Sequence, residues 1–203
     1  MQLELKWRDS IASQAEASRL RIRNVTRDSL FGIVSRQGNN GLPAALAPQH
    51  STLSEIVQLL ESTKWADSLS GREVLELSKY LQVCIVEKGT IIVREGSRDA
   101  YLCLLVEGKV SVTKKASADA PKGLGTVSPG KTFGEMSLVD GEPRSASVLA
   151  DEKTTLIVLT ADDFARLASE IPRLAIKVLL KISKLLSQRL RHTTGVLADH
   201  IGG

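Results

Sequence analysis

Aromatic residues make up only 3% of this 203-residue chain, and cysteine, methionine and histidine are just as sparse, at two, two and three copies. So few sulfur and imidazole groups exclude a Cys/His metal cluster: Cys84 and Cys103 have no CxxC spacing and no histidine near them. Each lies in an apolar, strand-like stretch and is expected to be a small buried hydrophobe. Long apolar runs are missing too. Segments such as "LCLLV" and "VLLKI" fall far short of the roughly 18 residues that span a bilayer, and "MQLELKWRDS" lacks a basic-then-apolar signal pattern. A cytoplasmic location without membrane contact is the expectation. Neither a Walker loop nor a Ser/His/Asp set occurs, so the chain does not read as an enzyme.

What is present describes a folded chain of modest charge. Hydrophobic residues make up 42%, which is globular, and the formal net charge is +4. Scattered lysines and arginines with few aromatics give weak footing for nucleic acid, so direct DNA binding is disfavoured. The first fifty residues differ from the rest. They are rich in arginine (Arg8, Arg19, Arg21, Arg23, Arg27, Arg36) and end in "RQGNNGLPAALAPQH", whose glycine, asparagine and proline predict a linker. A boundary near residue 50 then separates a basic N-terminal extension (1–50) from a second domain (51–203). Within the extension, Leu3, Leu5 and Trp7 alternate as in a short strand, and "SIASQAEASRLRIRNV" is compatible with a helix.

From Ser51 onward, "STLSEIVQLLEST" and "SGREVLELSKYL" space apolar residues three and four apart behind a capping hydroxyl, predicting two short helices. Strand-like runs follow, broken by glycine turns: "VCIVEKGTIIVREG", "AYLCLLVEGKVSVTKK", "LGTVSPGKTFGE" and "SASVLADEKTTLIVLT". The expected class is α+β: an antiparallel β-barrel (jelly roll) with Gly89, Gly96, Gly108 and Gly130 at its corners, flanking helices and a long C-terminal helix. Thr160 is a suitable cap for "ADDFARLASE", and Pro172 suits the first turn of a helix running to about Thr194. One stripe of that helix carries Leu179, Ile182, Leu186, Leu190 and Thr193, and a second edge carries Leu174, Val178 and Leu185. Two edges allow a homodimer seam beside cover for the helix's own domain; a single broad face on that domain is the alternative.

The segment "KTFGEMSLVDGEPRSASV" (131–148) places Glu135 and Arg144 at the ends of a loop of small residues. Gly134 lets a ligand approach the backbone, and "EMSL" can form a helical turn with free amides, a ready anion site. Arg144 adds a permanent fork-shaped cation that matches phosphate oxygens. Glu135 accepts a hydroxyl and repels a second phosphate. One anionic phosphate beside one free hydroxyl describes a cyclic mononucleotide.

"FGEMSLVDGEPRSASV" also resembles the phosphate-binding cassette of the cyclic nucleotide-binding domain superfamily, which includes catabolite activator proteins and protein kinase A regulatory subunits. The resemblance extends over roughly residues 53–194. It implies that Glu135 accepts from the ribose 2'-hydroxyl and Arg144 pairs with the cyclic phosphate. Amides of Ser137 and Ser145 complete the cradle, and Gly134 and Met136 line the sugar. "LSQRLRHTTGV" is similar to the stretch that touches adenine in catabolite activators, which makes Thr193 and Thr194 the base contacts. A threonine bonded back to its own helix is the competing reading. No helix-turn-helix is apparent in "LADHIGG", in keeping with the disfavoured DNA contact, and Gly195 is a place where the helix could end or hinge.

The ligand expected is cAMP as a regulatory ligand, favoured over cGMP by the threonine pair, although Ser145 after the arginine suits either; no metal is expected. Ligand binding is expected to move the terminal helices against an unidentified effector protein. The rivals are a protein interaction module that keeps the fold with little nucleotide affinity, and a kinase-inhibiting subunit acting through "RIRNVT".

Overall fold

Helix α1 (Leu53–Glu61) and helix α2 (Gly71–Ser78) both begin with a reciprocal capping box. At α1 the Thr52 hydroxyl accepts from the Glu55 amide at 3.3 Å while the Glu55 carboxylate accepts from the Thr52 amide at 2.7 Å. Ser70 and Glu73 repeat the exchange at α2, at 3.3 and 2.9 Å. Two otherwise orphaned amides are satisfied at each start, which fixes where the helices begin. The computed structural model describes residues 42–115 and 121–201. The strand expected at Leu3–Trp7 and the helix expected within residues 10–25 lie outside the described residues.

Eight strands follow: β1 (Gln82–Val86), β2 (Ile91–Val93), β3 (Tyr101–Glu107), β4 (Val110–Lys115), β5 (Pro121–Val127), β6 (Thr132–Phe133), β7 (Ser147–Ala150) and β8 (Thr154–Thr160). They form two four-stranded antiparallel sheets, ordered β1-β8-β3-β6 and β2-β7-β4-β5. The four expected corner glycines all adopt positive φ. The expected barrel does not close, because each sheet keeps its own edges and the two stack through side chains. The β1 edge is covered instead by residues 48–49. Pro48 bridges Cys84, and the Gln49 amide donates to the Val83 carbonyl at 2.7 Å.

The run "YLCLLV" is apolar throughout because β3 is buried on both faces. Tyr101, Cys103 and Leu105, with Leu156 and Val158 of β8, point into the inter-sheet core. The alternate residues Leu102, Leu104, Ile157 and Leu159 line the opposite side, against Leu60 and Trp65 of the helical preface and Leu81. Both cysteines are buried and free, as expected. Residues 42–50 behave differently from a linker: Leu42 and Leu46 are buried in the core, Leu46 on a 3₁₀ turn at Ala44–Leu46. Apolar burial outweighs the glycine and proline signal there, so the packed body starts before residue 50.

Helix α3 (Glu135–Asp140) follows β6, α4 (Ala161–Glu170) follows β8, and α5 (Pro172–Ile201) ends the described chain. Thr160 caps α4 as expected, accepting from the Asp163 amide at 3.1 Å. Helix α5 continues past Thr194 and through Gly195; a penalty of about 1 kcal/mol for one helical glycine is too small to stop it. Its buried residues are Leu174, Ala175, Val178 and Ile182. The expected stripe separates here, since Leu179 and Leu190 are exposed although Ile182 is buried. Lys177 pairs with Glu73 at 2.6 Å, and the Lys181 ammonium donates to the Trp65 carbonyl at 2.6 Å, pinning the first half of α5 to the preface.

Candidate functional site

Strand β6 is only two residues long because the chain must turn at once. Gly134 sits at φ 79°, the left-handed region, as the residue before α3. A side chain there would meet backbone and guanidinium: its Cβ would lie 2.7 Å from the Tyr101 carbonyl oxygen and 2.8 Å from Arg144 Nη1. Only glycine meets both the dihedral and the space. Helix α3 is short as well, at six residues, closed at Gly141, and the loop beyond it returns the chain to Arg144.

The backbone of Arg144 is fixed to the turn between β2 and β3. Its amide donates to the Ser97 carbonyl at 2.8 Å, and its carbonyl accepts from the Gly96 amide at 2.9 Å. Its side chain is 3% exposed. Nη1 donates to the Gly134 carbonyl at 2.7 Å, Nη2 donates to the Tyr101 carbonyl at 2.9 Å, and the guanidinium carbon lies 4.1 Å from the Tyr101 ring centroid. Tyr101 is itself fixed, its hydroxyl donating to the Ile92 carbonyl at 2.6 Å, and burial pushes its ionisation well above the ordinary tyrosine range. A permanent cation is thus held under the loop with Nε–H still without a partner.

Glu135 is 2% exposed at the start of α3. One carboxylate oxygen accepts from Arg189 of α5, and the other has no partner. Arg189 also donates to the Thr132 carbonyl. Of the six buried side-chain atoms without a hydrogen-bond partner among the described residues, four belong to Ser97, Thr132, Glu135 and Arg144. Such atoms are rare in folded proteins, and these four lie on the Thr132–Arg144 segment and on the β2–β3 turn that is hydrogen-bonded to it. The arrangement offers one free charged donor, on Arg144, and one free charged acceptor, on Glu135, next to the Gly134 turn.

Gly134, Glu135, Met136, Ser137, Arg144 and Ser145 are brought together here. Ser137 is buried, Met136 is exposed, and the Ser145 hydroxyl lies 3.8 Å from the Met136 sulfur. Thr193 and Thr194 are exposed on α5, and the Thr194 hydroxyl donates to its own helix at the Leu190 carbonyl, 2.9 Å away. Sequence reasoning did not single out Arg189, Tyr101, Thr132 or Ser97. Arg189 reaches Glu135 across 54 residues of chain, and nothing in "SQRLRH" distinguishes it from Arg191. A cleft away from this loop, between the end of α2 and α4, is lined by Tyr80, Gln82, Asp163 and Arg166. Many of its polar groups already pair with each other or nearby, including Gln82 with Asp163 and Tyr80 with Glu170. Among the described residues no group of three or more His, Cys, Asp or Glu could hold a metal ion, and no helix is long and apolar enough to cross a membrane.

Residues 84–170 match the family model described as the cyclic nucleotide-binding domain. A cyclic nucleotide-gated potassium channel of Rhizobium etli is 36% identical over 118 residues, 58% of this chain and 32% of the channel. The cyclic AMP receptor protein of Thermus thermophilus is 33% identical over 123 residues, 61% of this chain and 55% of the receptor. The chain therefore spans between about a third and about half of these relatives' lengths. The crystal structure of a cyclic nucleotide-binding domain from Methylobacillus flagellatus superposes with a TM-score of 0.67 at 29% identity, covering 82% of this chain and 95% of that one.

Proposed function

The chain belongs to the cyclic nucleotide-binding domain superfamily, and from that premise we propose that it is a non-enzymatic sensor of a cyclic mononucleotide, cAMP first. One observation carries the reading: a buried Arg144 with a free Nε–H and a buried Glu135 with a free oxygen flank the Gly134 turn. A cyclic phosphate fits the first and a ribose 2'-hydroxyl the second, while the amides of Ser137 and Ser145 complete the cradle beside Gly134 and Met136. A lone carboxylate without a second acid or a histidine beside it makes a poor catalytic pair, which supports binding over turnover.

Cyclic AMP is preferred because α5 carries the Thr193–Thr194 pair over which a purine could lie, and because a cyclic AMP receptor is among the relatives. Ligand binding then acts on α5, and α5 together with the basic segment preceding residue 42 contacts an effector protein. Exposed Ile176, Leu190 and Leu197 recur at seven-residue multiples along α5, which supports a homodimer through that helix.

The test is calorimetric titration of the full chain, freed of carried-over ligand, with cAMP, cGMP and cyclic di-GMP. Micromolar or tighter binding of cAMP is expected. Preference for cGMP would reassign the signal, and no binding of any of the three would leave a protein interaction module.

A further inference from the structure

The ladder between β4 and β7 stops short of the loop. Its last pairs are Val112 with Val148 and Thr113 with Ser147, and the same register carried two residues further would set Lys115 against Ser145. That pair does not form. The Lys115 amide donates instead to the Glu95 carboxylate at 2.8 Å, and the Ser145 carbonyl accepts from the Lys114 ammonium at 3.1 Å. Two side chains stand in for the backbone bonds of the missing step, and the Ser145 amide makes no hydrogen bond among the described residues. Sheet pairing gives no reason for a lysine here. Strand β4 turns Val110 and Val112 towards the core, and Lys114 continues that side where the core has ended. Across from it on β5 stands Lys122, and like charges directly opposite each other destabilise a sheet. Ser145 follows Arg144 directly, so Lys114 puts its charge on the peptide next to the buried cation of the site.

We propose that Lys114 is a positioning residue for the phosphate cradle. It holds the Ser145 peptide off the β4–β7 ladder by its carbonyl, so that the amide of the same residue stays open to a phosphate oxygen beside Arg144. Glu95 completes the arrangement as a wedge between the two strands. Its carboxylate occupies the Lys115 amide of β4, and its own amide donates to the Ser147 hydroxyl at the start of β7, at 3.0 Å. The inference rests on the cyclic nucleotide reading and adds to that site a residue from outside the 131–148 loop.

The experiment titrates the full chain and its Lys114→Met and Lys114→Arg variants with cAMP and with the two diastereomers of its cyclic phosphorothioate. In one diastereomer sulfur replaces the exocyclic oxygen that faces Ser145, and sulfur accepts hydrogen bonds weakly, so that ligand has little of this bond to lose. In Lys114→Met, cAMP and the other diastereomer should weaken about threefold to tenfold, the worth of one hydrogen bond, while the first changes less than about twofold. The ratio between the diastereomers therefore shifts. Lys114→Arg keeps a charged donor and should restore both the affinity for cAMP and the ratio. Equal weakening of all three ligands in Lys114→Met would make Lys114 a diffuse attraction for anions and overturn the positioning role. Unchanged binding of all three would reduce its bond to Ser145 to a surface contact and overturn the role as well. In either case the cyclic nucleotide reading stands. An unmodified chain that binds none of the three ligands overturns both.

Discussion

The guanidinium of Arg144 lies 4.1 Å from the centroid of the Tyr101 ring and donates to the carbonyl of the same residue at 2.9 Å. The phosphate cation of the proposed site is therefore also a piece of the core, stacked on a side chain that spans from β3 to the Ile92 carbonyl of the other sheet. Binding and folding meet in one residue.

Replacing Arg144 with Ala should accordingly do two things. Nucleotide affinity should fall by about 30-fold to 1000-fold, which corresponds to about 2–4 kcal/mol. Unfolding free energy should also fall, by about 1–3 kcal/mol, because two buried carbonyls lose their charged donor. Arg144→Lys keeps a cation but not the fork, so it should recover part of the stability and little of the affinity. Calorimetric titration and urea unfolding read the two effects separately, and affinity that survives Arg144→Ala would remove this residue from the phosphate site.

Gly134→Ala and Gly96→Ala form an internally controlled pair. Both glycines hold φ 79°, but a Cβ at Gly96 meets nothing within 4 Å, whereas one at Gly134 meets the Tyr101 carbonyl and the Arg144 side chain below 3 Å. The dihedral alone costs about 1–2 kcal/mol. Gly96→Ala should lose about that much stability and keep its affinity. Gly134→Ala should lose more and bind nucleotide at least tenfold more weakly, as Arg144 is pushed from its anchors. Equal thermal shifts in the two variants would contradict the close approach.

The elements that were legible in the sequence are those whose cause is local. Thr160 before "ADDF", the alternation within the strands and the glycine turns each carry their signal within a few residues. The grouping of Gly134, Glu135 and Arg144 was legible for the same reason, since the three lie within eleven positions. Residues 42–50 misled because their glycine and proline content is local while the burial of Leu42 and Leu46 depends on strands that come later. Arg189 and Tyr101 were invisible as site residues for a related reason: one acts across 54 residues and the other across 43. The apolar stripe of α5 was legible as periodic, but which part of it is covered depends on where the roll ends beneath it, after Ile182.

Both tyrosines of the chain should resist ionisation in the folded state. The Tyr80 hydroxyl donates to the Glu170 carboxylate at 2.6 Å, and that bond together with burial pushes its pKa up to about 12; burial raises Tyr101 as well. Unfolded tyrosine ionises near pH ~10. A folded pKa above the unfolded one means the contribution to stability is complete below pH ~10 and is lost as the pH rises through about 12. Absorbance at the tyrosinate band should therefore stay flat in the native protein up to about pH 11 and rise near pH ~10 in urea. A native titration of one tyrosine near pH ~10 would contradict the Tyr80–Glu170 bond.

The last prediction separates the two threonines of α5. Thr193 lies four residues beyond Arg189, so it projects from nearly the same side of the helix about 6 Å further along the axis. If Arg189 holds this side over Glu135, Thr193 is carried towards the base of a nucleotide whose ribose is bound there. Thr194 faces elsewhere, and its hydroxyl is already used by the Leu190 carbonyl. Thr193→Ala should weaken cAMP by about 3-fold to 10-fold, the net worth of one neutral hydrogen bond, and leave a base-free ribose cyclic phosphate unaffected. Thr194→Ala should change neither. Equal losses for the two ligands in Thr193→Ala would take this residue out of the base site, and a base-specific loss confined to Thr194→Ala would mean that α5 rotates when ligand binds.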